Sequence, residues 1–212
     1  VKQYVFSDLN QAQTQKIFCG VNSAFSEIWW FYPSSTSLEN DRYVVWNYTN
    51  NLWYYGNLFR TAWLDRGIKD FPIAASSDNY LYNHEFGLDD GSTDPASPIS
   101  SFIESSQVDI GQGDTFAFVN RIIPDISFST STVSDPSANV ILKSRNFPGG
   151  GFQQTDTTGV TQTATTPVEL YTEKADIRLR GRSMTLRVES NATGVQWKLG
   201  TPRMNIRPDG RR

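Results

Sequence analysis

Glu27, Asp41, Asp65, Glu85, Asp89 and Asp90 are the carboxylates from which this sequence could assemble a glycosidase-style pair of acids, and its many aromatic residues supply faces on which sugar rings stack. Such a pair needs two carboxyl groups at a set separation, and chain spacing does not fix one. Acidic residues beside Gly, Asn and Ser are also ordinary turn formers. The reading from sequence is therefore a protein that is not an enzyme. His84 is the single histidine and Cys19 the single cysteine, so Ser-His-Asp chemistry and a zinc site are all but excluded and no disulfide forms within the chain. Cys19 has no neighbouring histidine to activate it and reads as a buried thiol. His84, in the aromatic run NYLYNHEF, reads as a hydrogen-bonded structural residue. Asp89-Asp90-Gly91-Ser92-Thr93-Asp94 lacks the full alternating ligands and terminal Glu of an EF-hand. Gly149-Gly150-Gly151 lacks the lysine and helix of a phosphate loop. No cofactor and no metal are expected.

Aromatic residues are the second chemical resource. The stretch WWFYPSSTSLENDRYVVWNYTNNLWYYG, residues 29–56, holds four of the six tryptophans. Stacking on nucleic-acid bases needs aromatics interleaved with Lys and Arg, yet Arg42 is the only basic residue in this stretch. A buried core is the expectation. Sugar binding is the alternative, with Trp46, Trp53, Tyr55 and Asn50 as contacts and Asn47 and Asn51 beside them.

Charge is the third. The formal net charge of −3 conceals a split: residues 1–173 carry nine Lys/Arg against nineteen Asp/Glu, and residues 174–212 carry ten against three. Such asymmetry marks an interaction surface with nucleic acid, an acidic partner or another copy of the chain. In DIRLRGRSMTLRVES, Ile177 and Leu179 alternate with Arg178 and Arg180, and Met184, Leu186 and Val188 alternate with Thr185, Arg187 and Glu189. GVQWKLG continues the alternation with Lys198. If these strands pair as a meander, Arg178, Arg180, Arg187 and Lys198 share one exposed face as a contact for a neighbouring subunit or for DNA.

The elements that must carry these residues are strands. Apolar residues rarely recur at helical spacing and turn formers interrupt nearly every stretch, so the chain reads as all-β, with Leu9 to Ile17 its only helix-capable segment and YVF near the start strand-like. RYVVWNYTNNLWYYGNL is a hairpin closed by TNN, and FPIAASSDNYLYNHEFG another, turning at Ser77 to Asn79. With EIWWFYP before and RTAWLDRG after the first hairpin, four to five strands make one propeller-like antiparallel blade over residues 1–87, aromatic on both faces. Residues 88–98 read as a linker, and residues 99–212 as an antiparallel sheet or sandwich region ending in the basic strands. Within it, SFIESSQVDIGQGDTFAFVNRIIPDISFS reads as two long strands joined by GQGD, NVILKSRNF as another strand, and residues 147–167 as an extended loop. No run of about eighteen apolar residues exists, so no membrane-spanning helix is expected. The start at Val1, without a charged-then-apolar leader, fits a piece of a longer or processed protein.

The order SEIWWFYPSS, ENDRYVVWNYTNNLWYYG, RTAWLDRG, PIAASSDNYLYNHEFG and DDGS resembles a kelch-like blade from tail tubular or nozzle proteins of double-stranded DNA bacteriophages. The later stretches IESSQVDIGQGDTFAFVNRIIPDISF, LKSRNFPGG and RLRGRSMTLRVESNATGVQWKLGTPRMNIRPDGRR resemble the carboxyl-terminal part of the same proteins. The resemblance spans nearly the whole chain and rests on composition and order rather than on catalytic motifs. It implies a structural virion component whose β-propeller and sandwich-like domains assemble as a homo-oligomeric ring, commonly of six copies, below the portal and adaptor, with DNA passing through the channel. Tight phosphate binding would hinder sliding, so the basic carboxyl-terminal strands are expected to meet protein rather than DNA.

Overall fold

A computed structural model describes residues 1–147 and 162–210. The chain is all-β and folds as two compact units, Val1–Gly87 and Leu88–Arg212. Among the described residues no helix is long and apolar enough to cross a membrane.

The first unit opens with a short helix, α1 (Lys2–Asp8), and a 3-10 segment, Gln11–Lys16. Strand-like YVF is thus helical, because packing overrides a weak local preference: the Tyr4 ring stacks on Tyr55 with centroids 3.8 Å apart. The segment expected to be helical reaches only 3-10 geometry. Its QAQTQK sequence carries no apolar stripe to bury, and the Asn10 side chain accepts from the Ala12 N–H to cap it.

Strands β1 (Phe18–Asn22), β2 (Glu27–Tyr32), β3 (Arg42–Asn47) and β4 (Leu52–Asn57) follow as a four-stranded antiparallel meander in chain order. The β3–β4 hairpin forms where TNN predicts it, with Trp46 opposite Trp53 and Asn51 in the left-handed region at φ 53°. Strands β5 (Ala62–Leu64), β6 (Ile73–Ala75) and β7 (Leu81–Asn83) form a separate three-stranded meander, its last turn held by Asn79 at φ 70°. RTAWLDRG therefore does not extend the aromatic sheet as expected. Trp63 of β5 instead lies against that sheet, stacked on Trp29 at 5.4 Å, so the second meander packs over the first rather than beside it.

The second unit begins with β8 (Asp89–Asp90) and β9 (Ser97–Pro98), which pair with each other. Residues 88–98 are thus not bare chain. The Asp89 carboxylate accepts from the Gly194 N–H at 2.8 and 3.0 Å, tying the hairpin to the rest of the unit. Strands β10 (Ser101–Glu104), β11 (Val108–Asp109), β12 (Ala117–Ile123), β13 (Ile126–Ser127), β14 (Ser137–Arg145), β15 (Thr163–Glu169), β16 (Ala175–Gly181), β17 (Ser183–Ser190), β18 (Lys198–Leu199) and β19 (Arg203–Pro208) complete it. One sheet runs β10-β17-β14-β15 with β11 also on β17, a second runs β16-β12-β19, and β13 pairs β18. Val119 and Ile122 of β12 and Ile177 and Leu179 of β16 share one core with Val140 and Leu142 of β14 and Val188 of β17. The two main sheets are the layers of a sandwich.

GQGD is a turn, with Gly111, Gln112 and Gly113 all at positive φ, but it passes the chain between sheets: β11 lies on β17 and β12 between β16 and β19. The loop expected at 147–167 is overtaken at its end by β15, where TATTPVE pairs along β14. Its threonines suit a half-exposed edge, Val168 supplies the buried contact, and Pro167 is tolerated where no further strand needs its missing N–H. The rest of that loop, residues 148–161 with Gly149 to Gly151, lies outside the described residues.

Candidate functional site

Alternation along β1–β4 sorts the aromatic crowd onto two faces. Register places Trp29, Phe31 and Tyr43 on one face with Phe18, and Trp30, Trp46, Trp53 and Tyr55 on the other. The first face is interior. Phe31 and Val45 are fully buried, Trp29 contacts Phe31 and Tyr43, and Trp63 covers them with its indole N–H donating to the Val21 carbonyl at 2.8 Å. The second face is partly open. Tyr32 and Val44 are buried near α1, but Trp53 is 48% exposed and Tyr55 50% exposed. Here Trp53 stacks between Trp30 at 5.9 Å and Trp46 at 5.8 Å, and the Trp46 indole donates to Asn51 Oδ1 at 3.3 Å. The expectation of a core thus holds for one face only. Asn50 lies in the adjoining turn, its N–H bound to Asn47 Oδ1.

Four of the six carboxylates prove to be structural acceptors at turns. Asp41 takes the N–H and the hydroxyl of Ser34, both at 2.7 Å, Asp65 takes the N–H groups of Ser23 and Arg66, Asp89 takes Gly194, and Asp90 takes Ser92. Glu27 and Glu85 do come together. The fully buried Asn22 side chain donates to Glu27 Oε2 at 3.5 Å and to Glu85 Oε1 at 3.3 Å. Burial raises the pKa of both glutamates above the usual carboxylate range, and the Glu85 charge pushes Glu27 further the same way. Glu27 itself is buried and also accepts from the Trp29 indole N–H at 2.9 Å and from the Tyr54 hydroxyl. Three donors, the Asn22 amide, the Trp29 indole and the Tyr54 hydroxyl, thus converge on the Glu27 carboxylate.

His84 accepts from Arg60 Nε at 2.8 Å and leans on Trp63 at 4.6 Å. Burial and the Arg60 charge lower its pKa to about 4, so the imidazole is neutral at physiological pH and serves as an acceptor. Cys19 is exposed, not buried, because β1 is the sheet edge and register turns Cys19 to the open face opposite Trp30. Among the described residues no group of three or more His, Cys, Asp or Glu side chains is arranged to hold a metal.

The four basic residues expected on one face fall on three sheets. Arg178 and Arg180 are on β16, which pairs β12; Arg187 is on β17, which pairs β14 and β10; Lys198 is on β18, which pairs β13. The meander fails at Gly181, where the chain crosses from one layer of the sandwich to the other. A Cβ there would lie 2.6 Å from Ser144 Cβ, so only glycine lets β16 turn so close to β14. Arg187 is neutralised in its own sheet by Glu104 at 3.1 Å and Glu189 at 2.6 Å, over the Phe102 ring. Arg178 and Arg180 instead meet residues that sequence reading passed over. Register sets Arg180 and Arg207 on either side of Phe118, and Arg121 beside Asp176, on the outer face of β16-β12-β19. The alternation in PRMNIRP was the signal that would have found Arg203 and Arg207.

No protein-family model and no curated protein sequence matches this chain.

Proposed function

We propose that this chain is a structural component of a bacteriophage tail, part of a tubular or nozzle protein whose copies close a ring around the channel for ejected DNA. Its place is the virion, and its partners are further copies of itself, the portal or adaptor and other tail proteins. On this reading the β1–β4 meander is one blade of a propeller. The observation that carries it is the open aromatic face, where Trp53 and Tyr55 remain half exposed on β4, the edge strand of the sheet. Stacked tryptophans on an unpaired edge are surface that assembly covers. The resemblance of the sequence to tail tubular and nozzle proteins supplies the kind of assembly.

A receptor- or glycan-binding module is the second reading, favoured by the Trp46–Trp53 stack beside the Asn51 amide. Light scattering across protein concentration separates the two. A defined oligomer of several chains, reduced to monomer by Trp53→Ala with Tyr55→Ala, supports the ring. A monomer that binds glycans, and loses them with the same substitutions, supports the module.

A further inference from the structure

We propose that the outer face of the β16-β12-β19 sheet is a binding surface for the phosphate backbone of nucleic acid, through arginines on all three strands. The inner face of this sheet is committed to the core by Val119, Ile122, Ile177 and Leu179, with Met204 and Ile206 packed against it. Alternation therefore commits the outer face to the opposite set. Arg178 and Arg180 on β16, Arg121 on β12, and Arg203 and Arg207 on β19 are all exposed.

Among the described residues two carboxylates oppose these five arginines. Asp209 pairs with Arg180 at 2.6 Å, and Asp176 lies 3.9 Å from Arg121 and 3.7 Å from Lys174. Counting Lys174, six cations face two anions among the described residues, an excess of four positive charges on one sheet face of a chain whose net charge is −3. Among the described residues Arg178, Arg203 and Arg207 form no ion pair.

The chemistry of the face selects its partner. Five of the six cations are arginines, whose planar forks grip phosphate oxygens in pairs, whereas lysine offers a point charge. Aromatic rings lie beneath the guanidinium groups: Arg207 is 4.9 Å over Phe118, and Arg180 and Arg182 are 3.8 and 4.6 Å over Phe116. These rings are thereby occupied, so bases have no free platform and recognition goes through the backbone. Residues two apart on a strand are separated by roughly 6.7 Å and neighbouring strands by about 4.8 Å, so the charges cover an extended area suited to a polymer rather than to one ion. Binding of this kind is independent of sequence and steeply salt-dependent.

Titration of the whole chain against fluorescently labelled duplex DNA of mixed sequence, at salt from about 50 to 200 mM, tests this. The expected result is binding at low salt that weakens steeply with salt. The double substitution Arg178→Gln with Arg203→Gln lowers the log–log salt slope by about two, while Arg187→Gln leaves it unchanged. A thermal melt of each variant verifies that the fold is intact. The proposal is overturned by absence of binding at the lowest salt, by an unchanged slope in the folded double variant, or by capture of a sulfated polysaccharide or an acidic protein but not DNA. It goes beyond the tail reading and reverses the expectation that the basic carboxyl-terminal strands meet protein rather than DNA, because Arg121, Arg203 and Arg207 join Arg178 and Arg180 on one face. Oligomer mass tests the ring and this titration tests the face.

Discussion

The indole of Trp63 lies on the backbone of Gly20, and a Cβ built on that glycine would sit 2.5 Å from Trp63 Cγ. This contact, with the Trp63 stack on Trp29 and the Trp63 hydrogen bond to the Val21 carbonyl, fastens the second meander of the aromatic unit to the first. Gly20→Ala forces the ring out of its stack on Trp29, and overpacking of this kind costs about 1–3 kcal/mol. Urea unfolding followed by tryptophan fluorescence is expected to show the loss, with Gly67→Ala, where nothing lies within 4 Å, as the neutral comparison.

Glu27 and Glu85 give the aromatic unit a dependence on acid that runs against the usual one. Their pKa values are raised in the folded state, so the fold binds their protons more tightly than the unfolded chain does. The stability they contribute is complete below the ordinary glutamate range and is lost as pH rises through their folded values. The stability of the native chain relative to Glu27→Gln should therefore increase from pH 7 to pH 5. Paired urea melts at the two pH values measure it, and a constant difference would contradict the assignment.

His84 works in the opposite direction. Its pKa falls to about 4 on folding, from an ordinary value near 6.5, so its contribution is complete above about pH 6.5 and declines as pH falls toward 4. Titration of the imidazole by NMR is expected to place the midpoint near 4. Substitution of Arg60 by Gln removes the neighbouring charge and should move that midpoint upward.

The two faces of the aromatic sheet should separate in a quenching experiment. Trp53 is half exposed, whereas Trp29 is packed beneath Trp63. In single-tryptophan variants under monomeric conditions, acrylamide is expected to reach Trp53 and to spare Trp29. Truncation of Trp53 to Ala should cost less stability than truncation of Trp29, because less of its surface is withdrawn from water on folding.

Arg187 should behave as a local fastener. Its guanidinium bridges Glu104 and Glu189 and lies 3.8 Å over Phe102, linking β10 to β17. The Glu104 carboxyl is held below its usual range by Lys143 and Arg187. Arg187→Ala is expected to cost on the order of 1 kcal/mol, and the loss should shrink in high salt. Guanidinium unfolding would mask that salt effect, so urea is the appropriate denaturant.

Sequence alone determined the strands, because a side-chain period of two is a local property. The alternation in DIRLRG gives β16 its strict in-and-out burial, and the TNN and SSDN turns carry the left-handed asparagines that close two hairpins. The helix over Lys2–Asp8 was not legible, since it depends on Tyr4 meeting Tyr55, a contact between residues far apart in the chain. Which strands share a sheet was not legible either. The alternation of β16 and β17 is the same whether they pair with each other or face each other across a core, and the close approach of Gly181 to Ser144 decides for the second. That choice removes Arg187 from the basic face and brings Arg121, Arg203 and Arg207 to Arg178, because pairing depends on long-range packing that no local pattern encodes.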